Sequence, residues 1–197
     1  AEKHLIRATE LANEPYVLFY AWRSLAALQL HRNNPAALES VDKALSNNHL
    51  DTAARVLKAR VLLAPLPTVD AFEAIMQANQ AAGLTPDVEP KTERMLALAY
   101  LRYEKFADAM EHAKAAIARN DTPTINYLVL AIAEAHQGNK RAARRHLADA
   151  IDRWPVALAT PGSYVATADQ GVLWFDTHAE FDALRSEAEQ LIGMDAP

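Results

Sequence analysis

Residues 107–121 read ADAMEHAKAAIARND, and residues 141–155, which begin 34 positions later, read RAARRHLADAIDRWP. Small and apolar residues recur at matching positions of the two stretches: Ala109, Ala113, Ala116 and Ile117 in the first, and Ala143, Leu147, Ala150 and Ile151 in the second. Steps of three and four residues are the period of a helix that buries one face. A repeat of this length predicts stacked helical units, each of which covers the apolar side of its neighbour.

The same period extends into the first half of the chain. Residues Ala37, Val41 and Ala44 are followed 34 positions later by Ala71, Ile75 and Ala78. The step from Ala71 to Ala109 is 38 positions, and the additional residues are assigned to GLTPDVEPK (83–91), because its glycine and prolines are typical of a loop. The sequence therefore predicts four units.

Each unit also contains an earlier helical segment, predicted at 16–30, 52–64, 92–103 and 124–137. Short breakers separate it from the second segment: RNNP (32–35), PLPT (65–68), EKF (104–106) and QGNK (137–140). A unit is thus predicted to be two antiparallel helices. Alanine at the recurring positions allows the helices to approach closely.

These features resemble the tetratricopeptide-repeat (TPR) family, in which a 34-residue pair of helices carries aromatic and small residues at set positions. The third unit matches at Leu96, Ala97, Tyr100, Phe106, Ala109 and Ala116, and the fourth at Tyr127, Leu130, Ala131, Gly138, Ala143, Ala150 and Pro155. The first two units depart from the pattern: Trp22, Leu25 and Ala26 are about one residue out of register with Ala37, and Lys58 occupies an expected apolar position.

The resemblance covers residues 1–155 and implies an all-α superhelical solenoid. Its predicted parts are a partial helix at 1–14 and units at 15–49, 50–88, 89–121 and 122–155. Residues 156–197 form the predicted C-terminal part, with a β-hairpin whose strands, 164–167 and 172–175, flank a turn ending at Gly171. The hairpin either covers the fourth unit, which is the preferred interpretation, or pairs its edge with a second copy.

A last helix is predicted from a capping box at Thr177 and Glu180, and it ends at Gly193. Its apolar stripe consists of Phe181, Leu184, Ala188 and Leu191. Because the final unit of an array needs a cover with a polar outer side, this helix is expected to cap the stack.

The resemblance implies that the first helices line a concave groove that binds a peptide or a partner helix. Transferring those positions gives Phe19, Trp22, Arg23, Gln29, Val56, Arg60, Lys91, Arg94, Leu98, Arg102, Ile125, Leu128 and Ile132, of which Trp22, Arg23, Arg60, Lys91, Arg94, Leu98, Arg102 and Leu128 are the predicted groove residues. An apolar trough with scattered arginines suits an apolar segment that carries acidic residues. The competing interpretation is that these arginines only solvate a helix face. The carboxylate clamp of one TPR subfamily is not expected, because Lys91 lacks asparagine partners.

The composition argues against several other functions. The net charge of −5 makes nucleic-acid binding unexpected, although Lys140, Arg141, Arg144 and Arg145 form a local basic cluster. No run of apolar residues reaches the length of a membrane span, the chain has no cysteine, and the seven histidines include no i, i+4 pair. We therefore expect no metal, no cofactor and no membrane contact. The Ser-x-x-Lys match at Ser40 and Lys43 is interpreted as a coincidence.

The sequence thus predicts a non-catalytic scaffold or regulatory region of a larger bacterial protein, whose active domain precedes Ala1 and which binds a protein or peptide segment. Two alternatives stay open: a module that forms a homodimer, and an enzyme that uses Ser163 with His178 in the C-terminal tail. A cytoplasmic location is expected, with a periplasmic one left open.

Overall fold

The computed structural model describes residues 1–64, 70–84, 89–119, 123–159 and 177–193, and within them the chain is all-α. The predicted hairpin lies outside these residues. The helices are α1 (Glu2–Leu11), α2 (Pro15–His31), α3 (Ala36–Asn47), α4 (Thr52–Leu63), α5 (Ala71–Gly83), α6 (Pro90–Arg102), α7 (Phe106–Ala118), α8 (Pro123–His136), α9 (Lys140–Ala159) and α10 (Thr177–Ile192). The four predicted first helices are confirmed to within about two residues, and a second helix follows each of them, as predicted. The fourth unit was predicted to end at Pro155, but α9 continues to Ala159.

The helices pack as adjacent pairs. The closest pairings are α2 with α3, α4 with α5, α6 with α7 and α8 with α9, and α1 packs on α2. Each second helix also contacts the first helix of the next pair, and the first helices α2, α4, α6 and α8 contact one another in succession. In the described part of the chain, the backbone of every helix of α1–α9 packs only on helices one or two places away in order. The helices therefore follow one another in a row, and their apolar sides are covered pair by pair.

Four sets of small and apolar residues pack the second helices against their neighbours. The sets are Ala37, Val41 and Ala44 in α3; Ala74, Ala78 and Ala81 in α5; Ala109, Ala113 and Ala116 in α7; and Ala143, Leu147 and Ala150 in α9, all fully buried. The predicted match of Ala37 with Ala71 is wrong by three residues, because Ala74 holds the equivalent buried place and Ala71 is half-buried. The set that begins at Ala71 and the set that begins at Ala74 both fit the helical period, and only the packing of α5 distinguishes them.

Three of the turns inside the pairs share one backbone conformation. Asn33, Glu104 and Gly138 each have a positive φ, at 52°, 59° and 81°. In each turn the next residue donates its N–H to the carbonyl five positions earlier, as Lys105 does to Tyr100 at 2.9 Å. This is the Schellman motif, which satisfies the last carbonyls of a helix and reverses the chain. The shared turn gives these three pairs the same sharp connection.

Lys58 in α4 is accommodated at its unusual position by two carboxylates on the helices that flank it. Its Nζ lies 2.9 Å from Oδ1 of Asp42 in α3 and 3.6 Å from Oε1 of Glu73 in α5. The Lys58 side chain is only 17% exposed, and both carboxylates neutralise its charged end. An ion pair with both neighbouring second helices therefore replaces the expected apolar contact.

A polar brace joins the two helices of the third pair, and a related brace joins those of the fourth. Glu93 of α6 is buried and accepts from Nη1 of Arg119 at 2.6 Å and from Nδ1 of His112 at 2.7 Å. The residues 34 positions later are Tyr127, His146 and Arg153. In the fourth pair the arginine and the histidine lie against the tyrosine ring, where the third pair has a carboxylate. The Arg153 guanidinium lies 5.0 Å from the centre of the Tyr127 ring, and the centre of the His146 ring lies 6.2 Å from it.

The last helix, α10, packs on α8 and α9, and the prediction of an amphipathic helix ending at Gly193 is confirmed. Its fully buried residues are Phe181, Leu184, Ala188 and Ile192. Ile192 takes the place predicted for Leu191, which is half-buried. The Phe181 ring stacks on Trp154 of α9, with ring centres 4.0 Å apart.

Candidate binding face

The candidate functional site is the side of the first-helix row that α10 contacts. It is built from α4, α6 and α8, and we define the candidate binding face by four of its residues, Arg60, Leu98, Arg102 and Leu128. All four were predicted as groove residues. Arg60 and Arg102 form ion pairs with α10, a segment that is distant from them in sequence, and Leu98 and Leu128 belong to the core cluster that α10 completes.

Arg60 lies in the last turn of α4 and reaches the start of α10. Its Nη2 is 3.4 Å from Oε2 of Glu180, which is 120 residues further along the chain. The Arg60 side chain is only 10% exposed, and that of Glu180 is 24% exposed. A charge this well covered needs a counter-charge, because water solvates it poorly. Glu180 is one of the groups that stabilise it.

Arg102 is the last residue of α6 and pairs with the middle of α10. Its Nη1 donates to both carboxylate oxygens of Glu187, at 2.8 and 2.7 Å. Both side chains remain about one third exposed. Pairs of this kind contribute little to stability, about 0–1 kcal/mol, but they favour one charge pattern over another. Arg102 therefore selects for a carboxylate at this point of the face.

The other two residues of the candidate binding face are apolar. Leu98 and Leu128 are buried in the same core cluster as Phe181 and Leu184 of α10. α8 is buried along most of its length: Ile125, Leu128 and Ile132 are fully buried, and so are the polar Thr124 and Asn126. Such a helix requires cover on every side. α6, α7 and α9 supply part of that cover, and α10 supplies the rest.

The other predicted groove residues have different surroundings. Trp22 lies under Nζ of Lys43 of α3, 4.5 Å from the ring centre. Arg23 packs over the Tyr20 ring and lies 3.6 Å from Oδ1 of Asp51, the residue that caps α4. The structure thus places both in contacts within the first pair and with the start of the second. Lys91 pairs with Glu89 at 2.6 Å, and Arg94 is almost fully buried in α6.

Sequence reasoning did not identify Glu180 and Glu187, which pair with the two arginines of the candidate binding face. Their signal was present, since they lie seven residues apart beside the apolar stripe of an amphipathic helix. Acidic residues on such a helix are usually solvated, so the pattern alone did not identify a partner. Only the fold shows that two arginines face them.

The described residues give little support to other kinds of site. The Ser40 hydroxyl is buried and donates to Oε1 of Gln29 at 2.6 Å, while Lys43 pairs with Glu39 on the outside of α3. No group of three potential metal ligands occurs within the part of the chain that the structure describes. No helix in that part has both the length and the apolar character needed to cross a bilayer. Ser163 and the side chain of His178 lie outside it.

The basic cluster at the start of α9 is exposed, as predicted for a solvated surface. Lys140, Arg141, Arg144 and Arg145 all face solvent. His146 next to them is half-buried, and its burial lowers its pKa below the ordinary value for histidine. Glu134 and Asp149 oppose this shift, while Arg145 and Lys114 add to it.

Comparison of the chain with protein-family models, with curated proteins and with solved structures finds no match.

Proposed function

We propose that this chain is a TPR-like superhelical solenoid that serves as a non-catalytic scaffold or regulatory region of a larger, bacterial protein. It binds a protein or peptide segment on the candidate binding face. The single observation that carries this proposal is the composition of that face: an apolar floor at Leu98 and Leu128, with arginines at Arg60 and Arg102.

The physical argument is that this surface combines the two properties that bind an amphipathic segment. Apolar contact supplies most of the affinity, and it is not directional. Arginine adds selectivity, because its planar guanidinium can donate two hydrogen bonds to one carboxylate. Helix-in-groove recognition relies on these two contributions together. The row of first helices supports the function, since each successive helix adds another strip to one continuous face.

The test is a selection of displayed peptides against the full wild-type chain, followed by affinity measurements on purified variants. We expect Arg102→Glu to weaken the selected peptides by about tenfold or more, because a carboxylate then meets a like charge. Arg144→Glu makes the same charge change on the exposed side of α9 and serves as the matched control. Equal binding to the wild-type chain and to the Arg102→Glu variant would refute the assignment of this face.

Self-association is a second candidate, favoured by apolar residues exposed at the other end of the row. Ile6 and Leu11 of α1 and Tyr16 and Val17 of α2 are all exposed. Light scattering over a range of concentrations tests this candidate. A dimer that Val17→Glu dissociates would support it, and a monomer at every concentration would refute it.

A further inference from the structure

The charges and apolar residues of α10 form a pattern with a clear geometry. At about 100° per residue, Glu180 and Glu187 lie within about 20° of each other around the helix. Leu184 follows at about 40° from Glu180, and Phe181, Ala188 and Ile192 occupy the next part of the circumference. α10 therefore carries an acidic edge directly beside its buried stripe. Its outer side holds the exposed Asp182.

The spacing of the two carboxylates fits the spacing of the row. Seven residues of helix rise by about 10 Å, and neighbouring packed helices lie about 8–10 Å apart. Glu180 pairs with Arg60 of α4, and Glu187 pairs with Arg102 of α6, which is the next first helix. The apolar stripe packs on α8. One amphipathic helix thus contacts three successive first helices.

Among the described helices, the backbone of α10 packs only on the last pair of the row, α8 and α9, and it reaches α4 and α6 through side chains. The pairs from α2 to α7 are held together by contacts that do not involve α10. Removal of α10 from the face would expose its apolar floor while those pairs stay packed.

This inference rests on the function proposed above. It concerns the role of α10 at the candidate binding face and the class of partner that binds there. We propose that α10 is an internal ligand of the candidate binding face, and that the partner is an amphipathic helix with two carboxylates seven residues apart beside an apolar stripe. The partner binds by taking the place of α10. Because α10 is tethered, its effective concentration is high, and a partner in solution binds only to the fraction of molecules whose face is open.

The probe for this proposal is a labelled synthetic peptide with the sequence of residues 177–193, and its binding to the full chain is measured by fluorescence anisotropy. We expect weak binding to the wild-type chain. The Glu180→Arg/Glu187→Arg variant places two cations against Arg60 and Arg102, so its own α10 is repelled from the face. We expect it to bind the peptide at least tenfold more tightly than the wild-type chain does.

The matched control is Asp182→Arg, which makes the same charge change on the exposed side of α10 and should bind the peptide as the wild-type chain does. Circular dichroism verifies that each variant is folded, and the single variant Glu187→Arg is used if the double variant is not. Equal affinity of the peptide for the wild-type chain and for the Glu180→Arg/Glu187→Arg variant would overturn the proposal.

Exchange of the two charges of the Arg102–Glu187 pair tests which residue of the bound helix lies against Arg102. The Arg102→Glu chain should bind the wild-type peptide no more tightly than the wild-type chain does, and it should bind a peptide that carries Glu187→Arg at least tenfold more tightly. Equal affinity of the Arg102→Glu chain for the two peptides would overturn the proposed pairing. Binding of the peptide by a wild-type dimer while the monomer stays inert would overturn it as well, in favour of exchange of α10 between copies.

The outcomes separate this inference from the function on which it rests. Selected peptides that depend on Arg102 but are not displaced by the α10 peptide would refute the internal ligand and leave the binding function in place. Selected peptides that do not depend on Arg102 would refute the function itself.

Discussion

Replacement of Glu93 by alanine is expected to lower the free energy of unfolding by about 2 kcal/mol. Glu93 is buried in α6 and accepts two hydrogen bonds from α7, from Arg119 at 2.6 Å and from His112 at 2.7 Å. A hydrogen bond that involves a charged group contributes about 1.5–3 kcal/mol net. The Arg119 and His112 side chains are 44% and 26% exposed, so water can solvate them once the carboxylate is gone. The expected loss is therefore less than that of two fully buried bonds.

The equivalent place in the fourth pair supplies a sharper comparison. Tyr127 occupies it, with Arg153 over its ring and His146 beside it. Since His112 and Arg119 stand 34 positions before His146 and Arg153, a tyrosine at position 93 should find the same two partners. We expect Glu93→Tyr to lower the free energy of unfolding by less than about 1 kcal/mol, because a cation over a ring recovers part of the lost interaction.

Urea unfolding followed by circular dichroism measures both changes, and Glu111→Ala, at an exposed position of α7, is the control. Hydrogen exchange should place the loss of protection of the Glu93→Ala variant in α6 and α7 and their neighbours, because interactions in the row are local. If Glu93→Tyr destabilises the chain as much as Glu93→Ala does, the two braces are not equivalent. A change below about 0.5 kcal/mol for Glu93→Ala would show that the brace is not a stabilising contact.

Three further changes test other parts of the reasoning. Ala113→Leu adds volume at a fully buried contact of α7 and should lower the free energy of unfolding by about 1–3 kcal/mol in urea titrations, whereas Ala118→Leu at the exposed end of α7 should have little effect. Glu104→Gly relieves a left-handed backbone at φ 59° and should raise that free energy by about 1 kcal/mol, measured in the same way. Burial lowers the pKa of His146, so the unfolded chain binds more protons than the folded chain does. The free energy of unfolding should therefore fall as the pH drops through the ordinary histidine pKa of about 6.5. The melting temperature of the His146→Gln variant should depend less on pH than that of the wild-type chain.

The pairs of helices could be read from the sequence because their signals are local. The helical period, the small residues of the second helices, and the glycines Gly138 and Gly193 each act within a few residues. The same locality explains the error at α5. Ala71 and Ala74 are both small and both fit the period of a buried face, so the sequence offered two registers and the contacts with the neighbouring helices selected one.

The contacts of the predicted groove residues could not be derived from the sequence. Register alone placed Trp22 and Arg60 on one surface, yet Trp22 contacts α3 and Arg60 reaches α10. Small rotations of a helix decide which neighbour a long side chain meets, and those rotations depend on the packing of every adjacent side chain. Propensity and spacing contain no information about them.

The first helices and their bounds, the pairing of the helices and the amphipathic last helix could all be predicted from the sequence. Backbone conformation and the burial of one helix face follow from residues that are close along the chain. The ion pairs of Glu180 with Arg60 and of Glu187 with Arg102 could be recognised only in the folded chain. Contacts across 120 and 85 residues depend on the sum of the small displacements between successive helix pairs, and that sum is fixed only when all the pairs are packed.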